Sequence, residues 1–320
     1  MSLGIDPKVD FAFKLIFGSP DHTRITIHFL NAVLNFPQPI TWVEILNPIQ
    51  GKDRSDDKLV VLDVLAADRD GRRFNIEMQT TLPTDLPKRL TYYNCLNYIR
   101  QLGEGGPYYA LRPAISICVL DRVLFSEASE FHLSFRLRCD QRDMIFKEDL
   151  VFHTLELPKY DPGSHNVEGL PPLEKWLYFL KHAEHLDAEE LADQLVDAEY
   201  REAAGVLEMI SKSPEERQFY EARMKFLHDE EARLIAAREE GREEGREEGR
   251  EEGREEGLAA GLAQGATKGR EEGSLTGKIQ LLQQLLGDEE TRLDDLLQRT
   301  QEELAKLLSR LQDRLRSRRE

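Results

Sequence analysis

Cysteine is scarce in this chain of 320 residues, which holds three: Cys95, Cys118 and Cys139. Three thiols cannot all pair, and their spacing is not that of a zinc site. Cys95 falls in a predicted helix and Cys118 in an apolar strand, so we expect buried thiols. The eight histidines form no HxH or HExxH pattern. These absences argue against a disulfide-stapled secreted domain and against a zinc hydrolase.

Long apolar runs are also missing. No stretch approaches the ~20 residues needed to cross a bilayer, and no secretory signal peptide is recognisable. We therefore expect a cytoplasmic protein that does not enter the membrane.

A basic charge balance is absent too, because the formal net charge is −17. Residues 1–160 hold 19 Lys/Arg against 21 Asp/Glu, residues 161–230 hold 7 against 17, and residues 231–320 hold 17 against 22. Nucleic-acid affinity depends largely on phosphate neutralisation by Lys and Arg. The acidity belongs to the C-terminal half, so the nearly neutral N-terminal half can still carry a local basic patch.

Two carboxylates lie within a mostly apolar predicted hairpin at residues 59–79. Asp63 is embedded in the run of residues 60–65, and Glu77 follows the turn within residues 74–79. Burying a carboxylate costs free energy unless it has a partner, and two such acids repel each other. A divalent cation between them removes the conflict, and Mg²⁺ prefers carboxylate oxygens. The alternative is a hairpin with an incidental acid on each strand.

The length of the turn decides whether the two acids meet. Asp70-Gly71 is a strong turn signal. A two-residue loop would place Asp63 and Glu77 on opposite faces of the sheet, because one residue of slip exchanges the faces. A three-residue loop, residues 69–71 with Gly71 in the left-handed conformation, pairs Asp63 directly with Glu77. The metal-site hypothesis requires the three-residue form.

An Asp, a turn and then Glu-x-Gln resembles the core of PD-(D/E)XK phosphodiesterases, with Gln79 where the usual lysine would stand. The fuller pattern resembles the Rpn family, the recombination-promoting nucleases and transposases of that superfamily. The resemblance extends over residues 5–160, and its order and spacing are specific although no single piece is. The matching segments are 10–18, 29–34, 58–63, 75–79, 89–93, 101–103, 107–109, 113–119 and 155–159.

The resemblance implies a magnesium site with Asp63 and Glu77 as ligands. Metals in such sites polarise the scissile phosphate and lower the pKa of a bound water. Gln79 completes the catalytic set, but it can only orient a water, since it carries no charge. Asp10 on the first helix is the expected outer acid by resemblance. Its alternative role is in the opening turn of a capped helix.

A positive charge must then come from elsewhere, and Lys58, Lys88 and Arg89 are available. Arg89 begins the helix that follows the hairpin, one turn before Tyr93. This placement suits a phosphate clamp with a tyrosine that stacks on a base. We therefore predict that Lys58, Arg89 and Tyr93 bind phosphate, with burial in the core as the alternative for Tyr93.

The predicted fold class is α/β: a PD-(D/E)XK, restriction-endonuclease-like core with a mixed sheet flanked by helices, plus a helical C-terminal extension. We assign the core to residues 1–160 and an acidic helical extension to 161–240. Residues 241–277 carry four Gly-Arg-Glu-Glu repeats and further glycines at every fourth position. Because each glycine costs a helix ~1 kcal/mol relative to alanine, this segment is predicted to be a marginal helix, which frays into a solvated spacer when it is alone. Residues 278–320 are predicted to form a leucine-rich helical module, which buries its leucines against itself or in a homo-oligomer.

The function that follows is that of a Mg²⁺-dependent DNA endonuclease, which hydrolyses phosphodiester bonds in recombination or mobile-element activity. Two alternatives stay open. One is an inactive relative that binds nucleic acid without cutting it. The other is a scaffold whose helical tail supplies the function and whose hairpin acids are structural.

Overall fold

The computed structural model describes residues 2–47, 49–50, 60–163 and 166–318. Nine helices are present in these ranges: α1 Asp10–Phe17, α2 Thr23–Leu34, α3 Leu86–Ile99, α4 Pro172–His182, α5 Ala188–Gln194, α6 Ala198–Lys212, α7 Pro214–Leu286, α8 Leu293–Leu297 and α9 Gln301–Ser317. The strands in the same ranges are β1 Val43–Leu46, β2 Ile49–Gln50, β3 Val60–Val61, β4 Val64–Asp68, β5 Arg73–Gln79, β6 Ala114–Leu120, β7 His132–Arg138 and β8 Ile145–Glu156.

The main sheet is mixed and has six strands in the order β1-β4-β5-β6-β8-β7. Strands β4 and β5 are antiparallel, whereas β5 pairs with β6, and β6 with β8, in parallel. All seven residues of β6 are buried, as its continuous apolar sequence predicts for a central parallel strand. The short strands β2 and β3 pair separately. The predicted α/β fold with a mixed sheet is confirmed.

Side chains that alternate along β6 separate two layers of core. Ile117 and Val119 belong to the large core on one face of the sheet, which includes residues of α1, α2, α4 and α6. Cys118 and Leu120 pack on the other face, against Leu86 of α3. The sheet therefore lies between helices, and α3 covers the face on which every second residue of β5 and β6 projects.

The predicted boundary at residue 160 falls inside a compact unit, Met1–Ala232. Helices α4 and α6 contribute the buried side chains of Trp176 and Tyr200 to the same core as the sheet. The Trp176 ring lies 5.3 Å from that of Phe17 and 4.5 Å from that of Tyr200, measured between centroids. The acidic composition of residues 161–230 describes the solvent face of these helices, while their apolar face completes the core.

Residues Arg233–Glu320 form a second unit. Its core consists of buried aliphatic side chains from the end of α7, from α8 and from α9: Ile279, Leu286, Leu296, Leu304 and Leu311. The predicted capping box at Thr300 and Glu303 opens α9. The module thus buries leucines against itself, and a homo-oligomer through these helices stays a prediction.

Helix α7 runs without a break through the Gly-Arg-Glu-Glu repeats. The segment was predicted to be a marginal helix that frays when alone; in the structure it is helical, and its role as a spacer stays a prediction. Three of every four residues in the repeat are Arg or Glu, which are good helix formers, and Glu-to-Arg pairs three residues apart are favourable.

Among the described residues, none of the helices combines the length and the apolar character that a membrane span requires.

Candidate active site

The β4–β5 hairpin has the three-residue register that the site hypothesis requires. Val64 pairs with Ile76 and Ala67 with Arg73, so the register places Asp63 opposite Glu77, one residue beyond the paired residues. Gly71 adopts the left-handed conformation with φ of 80°, and its N–H donates to the Asp68 carbonyl at 3.0 Å. A glycine tolerates this backbone conformation at no steric cost, so the turn chemistry fixes the register.

Backbone hydrogen bonds join the two acids across the strands. Asp63 lies at the bend between β3 and β4, where its Oδ2 accepts from the Met78 N–H at 3.0 Å. Its own N–H donates to Glu77 Oε1 at 3.4 Å. Each carboxylate therefore reaches across to the other strand, and the structure brings Asp63 and Glu77 together.

Burial places both acids under electrostatic strain. Glu77 is 3% exposed, and its pKa is raised to about 8 by burial first and by the charge of Asp63 second. Burial also raises the pKa of Asp63, while Lys14 opposes that rise. Two carboxylates forced together with too little positive charge are the electrostatic condition under which a divalent cation binds.

Among the described residues, the positive charge that contacts Asp63 comes from α1, a source that the sequence reasoning missed. Lys14 Nζ lies 3.1 Å from Asp63 Oδ1 and 3.6 Å from Asp10 Oδ2. Helix α1 buries Phe13 and Phe17 in the core. Asp10 and Lys14, four residues apart, therefore share its other face and point to the acid pair. This spacing was the one available signal, since Lys14 lies far from the hairpin in sequence.

Asp10, the predicted outer acid, stands beside the site. Its charge contributes a smaller rise to the pKa of Asp63, after burial. Asp10 Oδ1 accepts from Arg223 Nε of α7 at 2.5 Å, so its carboxylate contacts two cations, Lys14 and Arg223.

A comparison with known families agrees with this geometry. Residues 7–237 match the model of a family described as PD-(D/E)XK nuclease family transposase. The chain belongs to this family. The match extends from before α1 into α7, so it includes the acid pair, Lys14 and the helices α4 to α6. Membership gives the chain a nuclease-type function and confirms the predicted Rpn-like resemblance. No curated protein and no solved structure gives a significant match.

Within the PD-(D/E)XK pattern, Gln79 departs from the usual lysine. Its Nε2 lies 3.5 Å from Glu77 Oε2, at the outer limit of a hydrogen bond. Gln79 is thus brought to the acid pair as predicted, but it adds no charge there. The ammonium of Lys14 lies next to Asp63, whereas Gln79 lies next to Glu77.

Two of the three predicted phosphate-binding residues, Arg89 and Tyr93, lie within the described residues. The Arg89 guanidinium lies 5.8 Å from the centroid of the Tyr93 ring, and its charge slightly lowers the pKa of Glu77, which burial raises overall. Tyr93 is half-buried against Leu62 and Leu65, so its ring serves the small core on this face as well. Lys58 lies outside the described residues.

Over the ranges that the structure describes, no group of three or more His, Cys, Asp or Glu side chains is close enough to hold a metal ion. The acid pair is therefore a two-carboxylate site. A cation held there would complete its coordination with water or substrate oxygens, as Mg²⁺ does in sites of few carboxylates.

Proposed function

We propose that the protein is a divalent-cation-dependent DNA endonuclease that hydrolyses phosphodiester bonds, with Mg²⁺ as the cation. The observation that carries the proposal is the pairing of Asp63 with Glu77 across the hairpin. Burial raises the pKa of both carboxyl groups, and the charge of Asp63 raises that of Glu77 further. The residues present fit the ion, since two hard oxygen ligands converge where positive charge is short.

The chain's own side chains divide the remaining work. When bound, the cation would polarise the scissile phosphate and lower the pKa of a water. Gln79 orients that water through its amide oxygen. Lys14 supplies the positive charge that Gln79 lacks, and it faces the charge that develops on the phosphate. Arg89 and Tyr93 hold the adjacent phosphate and base, and Lys58 is proposed to assist them.

Plasmid cleavage tests the proposal with a matched pair of variants. Asp63→Asn removes one carboxylate charge and keeps the shape of the side chain. Asp70→Asn is the control, because Asp70 lies on the same hairpin with its side chain 76% exposed. We expect the wild type and Asp70→Asn to nick plasmid DNA with Mg²⁺ and to stop with a chelator. Asp63→Asn should lose at least about a hundredfold in rate, a typical cost of removing one charge-stabilising group.

Equal cleavage by wild type and Asp63→Asn would assign the activity to a contaminating nuclease and overturn the proposal. A second candidate function, binding of nucleic acid without cleavage, is favoured by Gln79 in the lysine position. Gel-shift binding in the absence of any Mg²⁺-dependent cleavage would select it. A role in recombination or mobile-element activity belongs to the first proposal and is supported by the family description.

A further inference from the structure

Asp10 connects the candidate site with α7. Its two carboxylate oxygens serve different cations: Oδ2 lies 3.6 Å from Lys14 Nζ, and Oδ1 accepts from Arg223 Nε at 2.5 Å. Lys14 in turn lies 3.1 Å from Asp63 Oδ1. The four charges therefore alternate in sign from the acid pair to α7.

Other contacts hold this part of α7 against the N-terminal segment. The Tyr220 hydroxyl accepts from the Asp6 N–H at 2.9 Å, and Tyr220 is 6% exposed. The ring of Phe219 lies 6.2 Å from that of Phe11 on α1. Arg223 lies one turn beyond them, so the packing of Phe219 and Tyr220 places it beside α1.

The contacts of Asp10 determine which way Lys14 is drawn. Asp63 and Asp10 both attract the Lys14 ammonium, and Asp63 is the nearer of the two. Arg223 neutralises much of the Asp10 charge through a short, charge-assisted hydrogen bond. Without that neutralisation, the full charge of Asp10 would compete with Asp63 for Lys14.

We infer that Arg223 is a positioning residue for the site: by occupying Asp10, it keeps the Lys14 ammonium directed at Asp63. The inference rests on the proposed function for its effect on catalysis, but the placement of Lys14 can be tested without catalysis. Arg223 is 213 residues from Asp10 in sequence, so the family motif alone does not reveal it.

A double-mutant cycle on the full chain tests the inference. The variants are Arg223→Ala, Asp10→Asn and their combination. Arg217→Ala is the control, because Arg217 lies on the same helix and pairs with Glu221 at 2.9 Å on an exposed face. Two quantities are measured: the Mg²⁺ dissociation constant by calorimetry and the rate of plasmid cleavage.

We expect Arg223→Ala to tighten Mg²⁺ binding by roughly threefold to fivefold, the size of a partly exposed ion-pair effect, because Lys14 moves from Asp63 to Asp10. Cleavage should slow by about tenfold as the Lys14 charge leaves the reaction centre. In the Asp10→Asn background, Arg223→Ala should change neither quantity, because the competing carboxylate charge is gone. Arg223→Lys should restore most of both, and Arg217→Ala should match the wild type.

Equal effects of Arg223→Ala in both backgrounds would show that Arg223 acts as a distant charge or a packing residue, and would overturn the inference. A wild type that binds Mg²⁺ but cuts no DNA would refute the proposed function. The Mg²⁺ dissociation constants of the four proteins in the cycle would still test the role of Arg223. If the wild type binds no Mg²⁺, the crystal structure of Arg223→Ala decides instead. An Nζ of Lys14 still within 3.1 Å of Asp63 would then overturn the inference, and an Nζ shifted to Asp10 would support it.

Discussion

Replacing Glu77 with glutamine should stabilise the metal-free protein at alkaline pH. Glu77 is 3% exposed, and its pKa is raised from 4.5 to about 8, by burial first and by Asp63 second. Between these two values, the folded protein keeps a proton that the unfolded chain has released. The free energy of unfolding therefore falls as pH rises through this window and stays low above it. Glutamine has a similar shape and does not ionise, so the variant escapes that loss.

The gap between the two pKa values sets a ceiling on the effect. From 4.5 to about 8, at about 1.4 kcal/mol for each pH unit, the ionisation of Glu77 removes at most about 5 kcal/mol of stability. Relaxation around the carboxylate and its coupling to Asp63 reduce the measured value. The quantity to compare is the free energy of unfolding of Glu77→Gln minus that of the wild type. We expect this difference to be about 2–4 kcal/mol larger at about pH 9 than at about pH 5.

Urea denaturation in the presence of chelator measures this difference at a series of pH values. Glu104→Gln, at an exposed loop position, is the control for loss of one negative charge. A difference between wild type and Glu77→Gln that does not change with pH would refute the reasoning. Mg²⁺ added at alkaline pH should restore the stability of the wild type and leave Glu77→Gln unchanged, because a ligand stabilises only the folded state that binds it.

Three further predictions concern the fold. Gly71→Ala should lower the free energy of unfolding in urea by about 1–2 kcal/mol, because φ is 80° and the added Cβ would lie 3.2 Å from Arg112 Cγ. Gly103→Ala is the control and should lower it less, because a Cβ there meets nothing within 4 Å. A chain ending at residue 238 should unfold in one cooperative transition. A chain ending at residue 160 should not, because it loses the core side chains of α4 and α6. Cooperative unfolding of the shorter chain would support the boundary at 160. Leu304→Ala, at 1% exposed, should cost the second unit about 2–4 kcal/mol, seen by calorimetry as a lower melting transition while that of residues 1–232 stays in place.

Local chemistry made the hairpin predictable. Asp70-Gly71 indicated the turn, and the loop could have two or three residues. The structure has the three-residue loop. The continuous apolar run of β6 likewise identified a buried central strand. Signals of this kind act within about ten residues, where turn geometry and side-chain alternation dominate.

Lys14 and the domain boundary depend on contacts between distant segments. Nothing in the sequence near the hairpin indicates that α1 would present an ammonium 3.1 Å from Asp63. The predicted boundary at residue 160 followed the extent of the family resemblance, whereas the buried faces that carry Trp176 and Tyr200 pack into the same core as the sheet.

The change from lysine to Gln79 also changes which parts of the protein control the site. A charge at position 79 would be fixed by the ladder of β5, where Gln79 pairs with Leu120. The Lys14 ammonium instead belongs to the short helix α1. The first residue of that helix, Asp10, contacts both Lys14 and Arg223 of α7. If Arg223 positions Lys14 as inferred, small shifts of α7 should change the competition for Lys14, while the sheet holds the two carboxylates. Substitutions on α7 that face α1 should therefore change the rate of cleavage and leave the positions of Asp63 and Glu77 nearly unchanged.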